Sequence, residues 1–156
     1  MKKIMLTAML AAFIVSCQSD EGQPLTSGND PIAVGFTLIG DGELMGDENI
    51  TGSNLVIDNE ADWNALKTQM DLFNPYSQYF TETDIDFSAY KVIAVIDELR
   101  TSGGYDITIA SITDNDGQLV VDVENSNPTE ANVTTVMTQP FHIIKIPNTD
   151  LPVVFE

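Results

Sequence analysis

Residues 105–123, YDITIASITDNDGQLVVDV, decide the fold class of this 156-residue chain. Tyr105, Ile107 and Ile109 alternate with Asp106, Thr108 and Ala110, and Leu119, Val121 and Val123 alternate with Gln118, Val120 and Asp122. Successive side chains of a strand point to opposite faces, so a period of two predicts two half-buried strands. Between them, Asp114-Asn115-Asp116-Gly117 has the composition of a tight hairpin turn. Upstream, residues 92–96 (VIAVI) are apolar without interruption, as expected of a central strand buried on both faces. Downstream, a further strand is predicted from about Thr134 to Ile146, interrupted or bent at Pro140, which has no N–H to give to a ladder. Leu151 to Phe155 adds a candidate edge strand. Towards the N-terminus, Ile32 to Ile39 is apolar and β-rich, Gly40 to Gly52 is rich in glycine and acids, and Leu55-Val56-Ile57 is a short strand candidate.

One helix interrupts this pattern. Trp63, Leu66, Met70 and Phe73 are spaced three, four and three apart and form one apolar stripe. Asp58 or Asn59 can cap the N-terminus, and Glu60 and Asp62 lie in the first turn, where the helix dipole favours acids. Asn74-Pro75 stops the helix, which predicts residues 59–73. Its stripe is read as core. Tyr76, Tyr79, Phe80 and Phe87 follow it, placed to cover a sheet edge or to form a contact surface. The expected architecture is α+β, an antiparallel β-sheet packed against one amphipathic helix, in a single globular domain over residues 31–156.

The N-terminus predicts the address. Lys2 and Lys3 precede an apolar run at residues 4–15, and small Ser16 precedes Cys17, the only cysteine. This is the layout of a secretory signal. Ile14-Val15-Ser16-Cys17 has the form of a loose lipobox, so residues 1–16 are expected to be removed and the Cys17 thiol acylated. One acyl chain anchors weakly, and two or three anchor stably. The run is shorter than the roughly 20 residues of a membrane span. Residues 17–30 are polar and rich in turn formers, and read as a flexible acidic tether. Gln18-Ser19-Asp20-Glu21-Gly22 resembles the acidic export signal of surface-displayed bacterial lipoproteins. The expected location is the outer membrane, lipid-anchored and facing outward; a solvated tether on a periplasm-facing lipoprotein is the alternative.

Charge and composition exclude whole classes of function. Twenty-four acids oppose six Lys and Arg, for a net charge of −18. Removing residues 1–16 takes away Lys2 and Lys3 and no acid, which brings the charge to −20. No basic patch is available for nucleic acid, and anionic lipid would repel such a chain, leaving anchorage to the acyl group. His142 is the only histidine; its place in Phe141-His142-Ile143-Ile144 reads as a sheet residue rather than a catalytic base. No Gly-x-Ser-x-Gly elbow occurs, the His and Cys ligands of a zinc site are missing, and Ser102-Gly103-Gly104 lacks the lysine of a P-loop. Asp114 and Asp116 supply oxygens suited to calcium, but without the distal glutamate of a twelve-residue loop, and a tight turn explains them as well. No cofactor and no catalytic residue is expected, and the chain reads as a non-enzyme.

Two motifs carry a family resemblance. Arg100-Thr101-Ser102-Gly103-Gly104-Tyr105 follows the apolar strand and precedes the hairpin, and Thr138-Gln139-Pro140-Phe141 comes after it, with Asn127-Pro128 between them. This order resembles the C-terminal domain of the protease complex subunit PrcB family, over about residues 90–147. The resemblance implies a lipoprotein-linked, non-catalytic accessory or assembly subunit of a surface protease complex, with a protease as partner. Physically, Gly103 and Gly104 permit positive φ or close backbone approach, a scaffolding role to which a binding role is the alternative. In the binding version, Ser102, Gly103, Gly104 and Tyr105 converge with Asn127 and Pro128 and with Gln139, Pro140 and Phe141 on one edge. A second reading is a peptidase-inhibitor-like binding module using the same loops, although Asn127-Pro128-Thr129 continues into Glu130-Ala131 where chagasin-like inhibitors carry a Gly-Tyr pair. A lipoprotein of unrelated binding role that shares only the fold is the third.

Overall fold

The computed structural model describes residues 30–129 and 134–156. The signal segment, Cys17 and all but the last residue of the tether lie outside the described residues.

Two four-stranded sheets stack face to face, and the helix covers the far side of one of them. The strands are β1 (Ile32–Ala33), β2 (Thr37–Leu44), β3 (Ser53–Ile57), β4 (Tyr90–Ile96), β5 (Asp106–Asn115), β6 (Gln118–Ser126), β7 (Gln139–Pro147) and β8 (Val153–Phe155). The helix, α1, spans Glu60–Met70, and a 3-10 turn follows at Tyr76–Tyr79. One sheet has the order β2-β7-β4-β3 and the other β1-β5-β6-β8. The expectation of one antiparallel sheet is therefore corrected to two, and β8 runs parallel to β6.

The apolar faces of β4 explain the second sheet. Val92, Ala94 and Ile96 point to the helix side, where they pack with Trp63, Leu66, Met70, Phe141 and Ile143. Ile93 and Val95 point the other way, as do Ile144 and Ile146 of β7. A single helix cannot cover both faces, and the hairpin of β5 and β6 closes the second with Ile107, Ile109, Ile112, Leu119 and Val121. In β5 the inward period breaks between Ile109 and Ile112, because an extra residue at Ala110 shifts the pairing with β6. That bulge returns Ile112 to the core side.

The hairpin turn is as the sequence predicts. Asp116 and Gly117 both have positive φ, 53° and 82°, the conformation of a type I′ turn. Asn59 caps α1 by accepting the Asp62 N–H at 2.9 Å. The helix ends at Met70 rather than Phe73. The chain turns at Asp71, so Phe73 leaves the stripe and is 61 % exposed, while Tyr76 and Phe80 take its place against the core. Gly40 to Leu44, the start of the glycine- and acid-rich stretch, belongs to β2, and Gly40 leaves room for the Phe80 ring. β7 begins at Gln139 rather than near Thr134, and Thr138 joins Arg100 through an isolated bridge.

Candidate functional site

The two motifs meet at one end of the sheets. β4 ends at Ile96, and buried Asp97 follows it. Its carboxylate grips the Arg100 guanidinium twice, Nε to Oδ2 at 2.9 Å and Nη2 to Oδ1 at 2.8 Å, and accepts the Glu98 N–H at 2.8 Å. This two-point, charge-assisted contact fixes the orientation of the planar guanidinium, and the hydrogen bond to Asp97 raises the arginine's pKa. Arg100 also stacks over the Tyr105 ring, 4.9 Å from its centre.

The backbone of this loop is laced to the approach to β7. Arg100 and Thr138 exchange N–H···O bonds at 2.8 and 3.1 Å. Thr138 Oγ1 donates to the Ser102 carbonyl at 2.9 Å, and the Gly103 N–H donates to the Thr134 carbonyl at 3.1 Å. A Cβ on Gly103 would stand 2.5 Å from Thr134 Oγ1, so a side chain here would have to push that hydroxyl aside. Gly104 has φ +87°, a conformation that side chains with a Cβ rarely adopt.

Pro140 sits inside a sheet and is compensated there. β7 lies between β2 and β4, and the Pro140 carbonyl accepts the Asp97 N–H at 2.8 Å. An ordinary antiparallel partner would return an N–H to the Asp97 carbonyl, and proline has none. Gln139, 1 % exposed, supplies it: Nε2 donates at 2.9 Å to the Asp97 carbonyl and at 2.9 Å to the Ile50 carbonyl. The Gln-Pro pair thus works as one unit.

The nine residues singled out in the sequence divide accordingly. Ser102, Gly103, Gly104 and Tyr105 are brought against the segment leading to Gln139. Asn127 and Pro128 leave β6 just after Ser126, which pairs with Asp106, so they emerge beside Tyr105 at the same end. Gln139, Pro140 and Phe141 are buried and support this end from within. The outward surface belongs mainly to Thr101, Gly104 and Asn127. A cleft of about 360 Å³ adjoins the knot where the two sheets open, bordered by Asn54, Asp97, Glu98, Asn125 and Glu156. Asp97, the hub of the knot, was hidden in the sequence among 24 acids; its place directly after an apolar strand and three residues before Arg100 is the signal that points to it.

The remaining candidates have local roles. His142 is half-buried between the sheets, where Nδ1 accepts the Ile109 N–H at 3.3 Å. Burial lowers its pKa, against the opposing pull of Asp41 and Asp106. Asp114 Oδ1 accepts the Gly117 N–H at 3.0 Å, as a turn aspartate does. Among the described residues, no group of three or more His, Cys, Asp or Glu could hold a metal ion, and no helix is long and apolar enough to cross a membrane.

The polar groups of this knot satisfy one another, and an acidic cleft borders it. In comparison with known protein families, residues 91–147, from β4 to the end of β7, match the family described as PrcB C-terminal. That stretch contains both motifs and the whole knot. No curated protein and no solved structure matches the chain.

Proposed function

We propose that this chain is a membrane-anchored lipoprotein that serves as a non-catalytic accessory or assembly subunit of a surface protease complex. The observation that carries the reading is the PrcB C-terminal match at residues 91–147. It coincides with the segment in which Asp97, Arg100, Thr138 and Gln139 fix one end of the domain. The exposed ends of the Ser102–Tyr105 loop and of Asn127-Pro128 are its contact surface for the protease, with Gln139, Pro140 and Phe141 as the rigid support beneath. Acylated Cys17 holds the domain to the bilayer of the outer membrane, and the acidic tether carries it clear of the surface.

The test is affinity capture of the acylated protein from detergent-solubilised membranes of its own cells, read by mass spectrometry. One protease retained at a stoichiometric level through stringent washing is the expected result. Recovery of no protease would reduce the match to a shared fold. Slowing of added peptidases at a one-to-one dose would favour the inhibitor-like module instead.

A further inference from the structure

We propose that the outer edge of β2 takes up, by strand addition, an extended segment of a partner protein in which basic and apolar side chains alternate. The proposal rests on the subunit reading for the partner's being a protein, and concerns a surface away from the Arg100 knot.

The direction of the backbone groups opens this edge. β2 is the end strand of its sheet and pairs on one side only, with β7. The Pro140 carbonyl faces β4, so alternate residues Gln139, Phe141 and Ile143 turn their backbone groups to β2. Their partners there, Leu44, Gly42 and Gly40, therefore face β7, and the N–H and C=O of Asp41 and Glu43 face outward. Thr81 occupies the start of the same edge, donating from N to the Ile39 carbonyl and from Oγ1 to the Leu38 carbonyl, both at 2.8 Å. Among the described residues nothing pairs with it beyond that point. Two outward-facing residues at a spacing of two are matched by an extended main chain.

The side chains beside the edge specify the pattern. On the helix side, Gly40 and Gly42 form the floor of a cleft of about 320 Å³ walled by Tyr76, Tyr79, Phe80 and Phe141. Glycine is required at Gly40, where a Cβ would stand 2.5 Å from the Phe80 ring. Trp63, Phe80, Phe141 and Tyr76 contact one another ring to ring behind this cleft, so its walls are held by the core. Tyr79 is 79 % exposed at the mouth. An incoming side chain opposite Gly40 or Gly42 enters an aromatic slot, which suits a large apolar group. On the other face, Asp41 and Glu43 are exposed carboxylates, and residues directly opposite them in an added strand are favoured when cationic. The net charge of −18 draws such a segment in and disfavours an acidic one, including the chain's own tether.

The test uses the full chain in non-ionic detergent and an acetylated seven-residue peptide alternating lysine and phenylalanine, with residue-resolved amide exchange as readout. The expected result is saturable binding in which the outward Asp41 and Glu43 amides exchange at least about tenfold more slowly, with Glu43→Pro abolishing binding and Glu43→Gln weakening it only slightly. Tyr79→Ala, exposed enough to leave the fold intact, is expected to weaken binding about tenfold. A glutamate-for-lysine peptide and a serine-for-phenylalanine peptide are expected not to bind. Binding without protection of those two amides, equal binding of the serine peptide, or sedimentation as a dimer joined through β2 would each overturn the proposal. Capture from membranes separates it from the subunit reading. Loss of the protease from the wild-type protein sinks that reading, whereas failure of the lysine–phenylalanine peptide to protect the Asp41 and Glu43 amides sinks only this one.

Discussion

At the scale of single residues, Gln139 and His142 each replace a missing piece of backbone pairing. Gln139 Nε2 satisfies two carbonyls, that of Asp97 in a buried bond and that of Ile50 in a part-buried one. Gln139→Leu keeps much of the volume and strands both acceptors. The expected cost is about 2–4 kcal/mol, since each lost bond is worth about 1 kcal/mol and a buried orphan carbonyl adds to it; urea unfolding should show a lower midpoint at unchanged slope. His142 accepts the Ile109 N–H next to the β5 bulge, which requires the neutral ring. Its folded pKa lies below the ordinary 6.5, so the unfolded chain binds the proton first. The histidine's contribution is intact above about 6.5 and is lost as pH falls below it. His142→Gln should lose less stability than wild type across that window, with urea midpoints measured on either side of it; identical pH profiles would remove the histidine from the account.

At the scale of elements, the hairpin and the helix bear separable loads. Gly117 stands in open space with φ +82°, so Gly117→Ala meets no clash and reports backbone strain alone. The expected loss is about 1–2 kcal/mol, seen as a lower thermal midpoint; an unchanged midpoint would mean that the turn relaxes to another type. Trp63 ties α1 to the sheet through a buried ring and through Nε1, which donates to the Thr83 carbonyl at 2.8 Å. It also stacks with Phe80, 5.9 Å between ring centres. Trp63→Ala should destabilise by about 3–5 kcal/mol and loosen the Phe80 wall of the β2 cleft, readable as faster amide exchange through Tyr76–Tyr79.

At the scale of the whole molecule, three layers sit on a chain that carries far more acid than base. Lys145 pairs with Glu82 and lies over the Tyr90 ring, and Arg100 pairs with Asp97, so two of the few cations are spent on internal contacts and the acids coat the surface. Anionic lipid repels such a surface, and the lipoprotein proposal gives membrane attachment to Cys17. Cys17→Ala is therefore expected to move the protein from the membrane to the soluble fraction on cell fractionation. Retention of the variant in membranes would end the lipoprotein proposal.

The sequence by itself determined what depends on neighbours along the chain. Period two marked β5 and β6, Asp116-Gly117 marked their turn, the apolar run marked β4 as central, and the spacing from Trp63 to Met70 marked the helix. The two motifs located the region that matches the PrcB C-terminal family. Only the tertiary structure decided what depends on residues distant in sequence. The apolar faces of residues 92–96 announced burial on both sides without saying what would cover each. The answer, a helix on one side and the hairpin on the other, follows from packing alone. Nor could Gln139 be seen to repair the donor missing at Pro140, because its acceptors on Asp97 and Ile50 lie 42 and 89 residues away. Local period records which side of an element is apolar, and the partner that meets that side is chosen by the free energy of the whole assembled core.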